Sequence, residues 1–309
     1  MTGKRIVITG GAGFIGSHLA ERLIKDGNEV IVVDALLRGN KIPKETFGKI
    51  TFHKEDVCNE SRMVEICKGA DIIFHLAAIL GVDIVADNPI ETMETEVNGM
   101  QSIARAAIIN GVSKIIYAST SGIYGHLALE KSVDEEILVD PRTSYAMAKR
   151  YNELYLASLH EEKGIDSVAL RFFNIYGLRQ DNRMVIPRFF EQAIEGKPLS
   201  VYGTGEQTRD FTYIDDAIEA TVRLADKAKG FEIFNIANEK EATIHELAET
   251  IIALTNSKSE ISYIDAPKKR YDYEVGRRFG SSEKLQKQTG YKPHTSLKDG
   301  LDTILSSLR

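Results

Sequence analysis

The sequence predicts an α/β protein built on a doubly wound parallel sheet, with a smaller, interleaved C-terminal lobe. Short β-branched runs alternate with amphipathic helical stretches through the first 173 residues, the pattern of strands joined by helical crossovers. Most of those runs are apolar at successive positions, as strands covered by helices on both faces must be. No Pro-, Gly- or Ser-rich linker divides the chain, so the more polar, loop-rich texture after residue 174 reads as an interleaved lobe rather than a tethered domain.

Strands are expected at 5–9 (RIVIT), 29–34 (EVIVVD), 50–57 (ITFHKEDV), 71–78 (DIIFHLAA), 114–120 (KIIYAST) and 167–173 (SVALRFF). The first crossover, IGSHLAERLIKDG, carries one apolar stripe through Ile15, Leu19, Ala20 and Leu23. A long helix follows Asn88, its expected N-cap, with Pro89 in the first turn and Gly111 as the stop. Beyond 174 a loop and helix (DNRMVIPRFFEQAIEGK), a strand and turn (LSVYGTGEQTRDF), a strand (FEIFNIAN) and a helix opening at Thr243 are expected.

At 309 residues the chain is long enough for a large core, and its net charge of −6 suggests neither nucleic acid nor an anionic membrane as a partner. Two cysteines, Cys58 and Cys67, are too few for a disulfide framework and lack partners at zinc-ligand spacing, so no metal is expected. No apolar run of membrane-spanning length and no leader pattern are present, and a cytoplasmic location is expected.

The stretch TGGAGFIG follows the first strand and opens the first helix. Gly10, Gly13 and Gly16, with Phe14 and Ile15 between the last two, permit a tight turn, close approach to a pyrophosphate and close packing of helix on strand. Asp34 ends the second strand, where a carboxylate accepts hydrogen bonds from an adenosine ribose and repels a 2′-phosphate. The cofactor expected is therefore NAD. Residues 1–173 and 212–238 are expected to form the NAD-binding domain, and 174–211 with 239–309 the substrate lobe.

In SYAMAK, Tyr145 and Lys149 are four apart, one helical turn, so their polar tips can meet; chance gives the same spacing on surface helices. Thr120 and Ser121 end the fifth strand, at the edge where a doubly wound sheet gathers its ligands. There they either face the same cleft or merely finish the strand.

Seven stretches together resemble the extended short-chain dehydrogenase/reductases, specifically the nucleotide-sugar epimerases and dehydratases that include UDP-galactose 4-epimerase. They are TGGAGFIG, HLAA (75–78), EVNGM (96–100), STSGIYG, SYAMAK, RFFNIYG (171–177) and GTGEQTRDFTYIDD (203–216). The resemblance implies a Rossmann fold. It makes Tyr145 the acid/base, Lys149 the cation that lowers its pKa and holds the nicotinamide ribose, and Thr120 the donor to the reacting sugar hydroxyl. A free phenol titrates near ~10, so a neutral-pH base needs such cations.

The resemblance also assigns Asp56 and Val57 to the adenine end and Ala77 and Asn98 to the cofactor. Asn174, Ser121 and Arg188 are assigned to the nucleotide sugar. Arg209, either on the diphosphate or ribose or in a surface salt bridge, and the loosened pair Arg270 and Asp272 complete the nucleotide side. Arginine suits the task because its donor fork grips phosphate bidentately.

Family dehydratases carry an acidic pair after the threonine and decarboxylases a glutamate; here Ser121 and Gly122 follow. NAD-dependent 4-epimerisation of a UDP-hexose or UDP-hexuronate through a 4-keto intermediate is therefore expected. A 4,6-dehydratase, a UDP-glucuronate decarboxylase and a non-catalytic NAD-binding scaffold are the alternatives. The resemblance also puts Arg278 near the family's position that gates the sugar, where it either meets a uronate carboxylate or points to solvent. Relatives pair two helices per subunit, so a homodimer is expected through 89–110 and 144–163, with Tyr151, Leu154, Tyr155 and Leu159 available.

Overall fold

The computed structural model describes residues 1–78, 82–129, 132–265 and 276–308. Strand β1 (Arg5–Thr9) leads through α1 (Phe14–Lys25) to β2 (Glu29–Asp34), and α2 (Lys44–Phe47) leads to β3 (Thr51–Lys54). Next come α3 (Glu60–Ile66), β4 (Ile72–His75), α4 (Val82–Asp87), α5 (Pro89–Asn110), β5 (Lys114–Thr120), a 3-10 segment (Ser121–Leu129), α6 (Ser144–Lys163) and β6 (Asp166–Phe172). The third strand is shorter than expected because the chain turns at Asp56, whose carboxylate accepts the Cys58 amide at 2.8 Å.

After β6 come β7 (Asn174–Tyr176), α7 (Val185–Ile194), β8 (Leu199–Tyr202), β9 (Thr208–Tyr213), α8 (Ile214–Lys227) and β10 (Phe231–Ile236). β11 (Glu241–Thr243), α9 (Ile244–Thr255), β12 (Ile261–Ile264), α10 (Glu283–Thr289) and α11 (Leu297–Leu308) complete the described elements. Seven strands form one sheet in the order β10-β6-β5-β4-β1-β2-β3, and every pair in it is parallel. β11, β9 and β7 form a three-stranded sheet, and β12 pairs with β8.

Alternation along each strand explains the layers. Ile6 and Ile8 enter one apolar cluster with Leu19, Leu23 and Leu224 from α1 and α8, while Val7, Ile31 and Ile73 enter a second with Met63, Ile103 and Leu156 from α3, α5 and α6. Side chains of successive strand residues point to opposite faces, so each face is covered by its own helices. Helix ends follow local chemistry: Thr143 caps α6 by accepting the Ala146 amide at 3.0 Å, and Gly111 ends α5 in the left-handed region at φ 66°. Thr243 and Glu246 form a reciprocal capping box on α9. Asn88 sits at the N-cap of α5 without a side-chain bond to it.

β1 has β2 on one side and β4 on the other, and Thr9 is in register with His75. Strand order reverses there, which leaves a crevice at the carboxyl ends of β1 and β4 where such sheets bind ligands. Among the described residues no helix is long and apolar enough to cross a membrane.

Candidate active site

The glycine loop turns at that crevice. Gly10 has φ 68°, and a Cβ on it would lie 2.6 Å from the Ala77 backbone nitrogen; one on Gly16 would lie 2.4 Å from the Gly10 carbonyl oxygen. Neither position tolerates a side chain, so the backbone after β1 packs against the backbone after β4. Gly13 caps α1 without a side chain, and the helix carries no acid in its first turn, so no side chain of that turn satisfies its leading amides, beside half-buried Phe14 and Ile15. At the end of β2, Asp34 accepts the Ala12 amide at 3.0 Å and the Leu36 amide at 2.8 Å. Burial raises its carboxyl pKa, and those two bonds oppose the rise. A side-chain-free cradle, helix amides without an acid and a carboxylate at the next strand fit NAD.

Exposed Asp56 and buried Val57 follow β3, and the Val57 side chain packs against Gly99 of α5. Asn98, expected at the cofactor, is exposed on α5. The residue of that turn directed inward is Glu96, because 92, 96, 100 and 103 share the buried stripe.

Thr120 ends β5, in register with Phe172 of β6, and its hydroxyl oxygen accepts the Gly122 amide at 3.0 Å. Ser121 beside it is buried. Tyr145 stands in the first turn of α6 and Lys149 one turn on, where its ammonium lies 5.4 Å from the Tyr145 ring centroid and 4.7 Å from that of Tyr117. The fully buried Lys149 meets the Glu96 carboxylate at 2.9 Å. Burial pushes the Tyr145 phenol well above its usual range, and the Glu96 charge adds to the rise. In the protein alone this tyrosine is therefore an acid; serving as a base requires added positive charge.

Beneath the cleft, the Thr9 hydroxyl is 2.8 Å from His75 Nδ1, and the His75 ring stacks on Tyr117 with centroids 5.7 Å apart. Asn152 donates to the Tyr117 hydroxyl at 2.9 Å and to the Glu96 carbonyl at 3.0 Å. A second buried group fastens the middle of α6: Arg171 of β6 grips Glu153, Ser119 donates to Glu153 at 2.6 Å, and Arg171 donates to Tyr124. Glu96, Glu153 and Arg171 had no place among the expected site residues. The two acids were visible on buried helical stripes, at 92, 96, 100 and at 146, 149, 153, 156, and Arg171 as a charge inside the apolar run of β6.

On the lobe side, half-buried Asn174 opens β7 and donates to the Asp210 carbonyl at 3.2 Å. Arg188 lies 5.0 Å above the Tyr202 ring and donates to the Ser200 carbonyl. Arg209 donates to the Thr208 carbonyl at 2.8 Å. Arg278 joins it through the backbone, the Asp210 amide donating to the Arg278 carbonyl at 3.2 Å. Burial, and after it the charge of nearby Arg209, lowers the Arg278 guanidinium to about 10; its buried Nε has no hydrogen-bond partner among the described residues. Arg270 and Asp272 lie outside the described residues. Asp210 itself, raised to about 7 by burial, accepts the amides of Asn238 and Glu239 at 2.8 and 3.0 Å and that of Gly280 at 3.4 Å, tying β9 to the segment that carries Arg278.

Residues 6–237 match the model of the NAD dependent epimerase/dehydratase family. The UDP-N-acetyl-alpha-D-glucosaminuronate decarboxylase of Bacillus cytotoxicus is 39% identical over 99% of this chain and 98% of its own. Among solved structures, the UDP-glucose 4-epimerase of Thermotoga maritima with UDP-glucose superposes with a TM-score of 0.92, at 31% identity over 99% of this chain and 98% of that one. The UDP-glucuronic acid 4-epimerase of Bacillus cereus, in complex with UDP-glucuronic acid and NAD, gives a TM-score of 0.88 at 29% identity, over 99% and 100%. With the glycine cradle at the switch point and the Thr, Tyr and Lys side chains on β5 and α6, this chain belongs to the NAD dependent epimerase/dehydratase family, and its cofactor is NAD.

Proposed function

We propose that the protein oxidises a UDP-linked sugar at C4 and reduces the resulting ketone from the opposite face, a 4-epimerisation. NAD supplies the acceptor and donor of the hydride. Tyr145 takes the C4 hydroxyl proton and later returns it, Thr120 hydrogen-bonds that hydroxyl, and Lys149 keeps its donors for the ribose. The observation that carries the epimerase reading is the neighbour of Thr120. Gly122 stands where a carboxylate would be needed for elimination, and a Cβ there would sit 3.3 Å from the Thr120 hydroxyl oxygen.

Arg278 favours an anionic sugar. A buried guanidinium beside Arg209, with an Nε that no described residue satisfies, gains most from a carboxylate or phosphate. A hexuronate supplies the carboxylate in addition to the diphosphate common to all such substrates.

The 39% identity to a uronate decarboxylase favours a second outcome of the same oxidation. A 4-ketone beside a C5 carboxylate is a β-keto acid, which loses carbon dioxide as the carbonyl accepts the electron pair. Arginine pairing with the carboxylate stabilises the charge that this loss removes, and so favours retention. Incubation with UDP-glucose, UDP-glucuronate and the N-acetylated uronate, with products resolved by NMR and carbon dioxide trapped, tests the proposal. Conversion to the 4-epimer without gas supports it; a pentose product with gas establishes the second outcome; no turnover of any substrate by NAD-loaded protein refutes both.

A further inference from the structure

The ion pair beneath the catalytic tyrosine has a part in the chemistry. We propose that Glu96 is a positioning residue: its buried carboxylate holds the Lys149 ammonium under the Tyr145 and Tyr117 rings and ties the protonation of Tyr145 to the charge of the bound cofactor. This rests on the reading of Tyr145 as the acid/base.

Geometry comes first. Glu96 and Lys149 arise from different helices, both side chains are sealed from solvent, and they approach to 2.9 Å. The ammonium has three donors and, among the described residues, no polar partner besides the Glu96 carboxylate, so donors stay available to a ligand hydroxyl. Asn152 bonds the Glu96 carbonyl and the Tyr117 hydroxyl together, which holds α5, α6 and β5 in one arrangement around the pair.

Among the described residues, the titratable groups facing the pair come from four places. Tyr145 and Lys149 lie on α6, Tyr117 on β5, His75 on β4 and Cys58 in the turn before α3. Burial raises the pKa values of Tyr145, Tyr117 and Cys58, and the Glu96 charge adds to each rise; burial lowers that of His75, and the Lys149 charge adds to the fall. Glu153, which also faces Tyr117, is neutralised by Arg171.

Charge balance gives the consequence. With Tyr145 protonated, Glu96, Lys149 and Tyr145 sum to zero; the phenolate would leave a buried net negative charge, which is costly. The positive charge of the oxidised cofactor removes that cost, and the neutral reduced form restores it. Tyr145 is thereby a base when the hydride acceptor is present and an acid when the hydride must be returned. Without the Glu96 charge, Lys149 would take the Tyr145 phenolate as its counter-ion, and the phenol would ionise at lower pH whatever the cofactor's state.

The test is the phenolate absorbance of the holoenzyme titrated with pH, taken as the difference from Tyr145→Phe, with oxidised and with reduced cofactor bound. It needs no sugar turnover, so its failure is distinguishable from a wrong substrate or reaction. Glu96→Gln is expected to move the Tyr145 step down by at least about one pH unit and to shrink the gap between the two cofactor states. Glu96→Asp, which withdraws the charge by one methylene, is expected to move it in the same direction by less. A folded Gln variant with an unmoved step overturns the proposal. If only the Asp variant folds, an unmoved step in it does the same.

Discussion

Arg171 at the end of β6 and Glu153 in the middle of α6 grip each other through two hydrogen bonds of 2.9 Å, both side chains buried. This bidentate pair fastens α6, the helix that carries Tyr145 and Lys149, to β6. Glu153→Gln leaves a buried guanidinium without its counter-charge and is expected to cost about 3–5 kcal/mol. Denaturant unfolding measures it; a loss under about 1 kcal/mol would show that the pair is effectively solvated.

Tyr145→Phe removes the proposed proton carrier while leaving the glycine cradle intact. Turnover is expected to fall by about 10²–10⁴-fold with NAD still bound, read by a product assay beside cofactor extraction. Loss of NAD together with activity would mean that the hydroxyl serves binding instead.

Gly16→Ala drives a methyl to within 2.4 Å of the Gly10 carbonyl oxygen, a backbone atom that cannot step aside. The turn must open, which displaces the amides facing the pyrophosphate. Affinity for NAD is expected to fall at least about tenfold, or 1.4 kcal/mol, in equilibrium dialysis. Unchanged affinity would place the dinucleotide elsewhere.

His75 is pushed down to about 3, first by burial and then by the Lys149 charge, so the fold holds it neutral. Its unfolded value is ~6.5, and the unfolded chain therefore binds the proton more readily. The stabilisation from the neutral ring is complete above ~6.5 and is lost as pH falls toward 3, by about 1.4 kcal/mol per unit. His75→Gln should flatten that slope between about pH 7 and 5 in unfolding midpoints. An identical slope in the variant would assign acid sensitivity to other groups.

Exposed Met147, Tyr151 and Leu154 form an i, i+4, i+7 row on α6, and Ile90 and Ile108 stand exposed on the adjacent α5. Tyr155 is half-buried and Leu159 belongs to the core, so the outer face is narrower than the sequence suggested. A second copy pairing these helices is expected to cover the row. Light scattering after size exclusion should give a dimer, and Leu154→Glu a monomer. A wild-type monomer would remove this reading.

Where the chemistry is local, the residues spelled it out. The glycine loop, Asp34 at the end of β2, Thr120 at the end of β5 and the Tyr145–Lys149 turn each depend on neighbours within one element and its flanking turn. Backbone reach and helical period act over that range. Glu96 shows the limit. Its place on α5 does not say what it meets, and only the packing of α5 on α6 and β5 turned the acid toward Lys149.

The sequence by itself determined the parallel sheet and its switch point, and it named the candidate catalytic side chains, because hydrophobic period and turn chemistry are written along the chain. Tertiary structure alone decided their charge environment. Burial, the pairing of Glu96 with Lys149 and of Glu153 with Arg171, and the approach of Arg278 to Arg209 join residues from separate elements. Electrostatic energy depends on distance and on exclusion of water, and neither exists until the elements have packed.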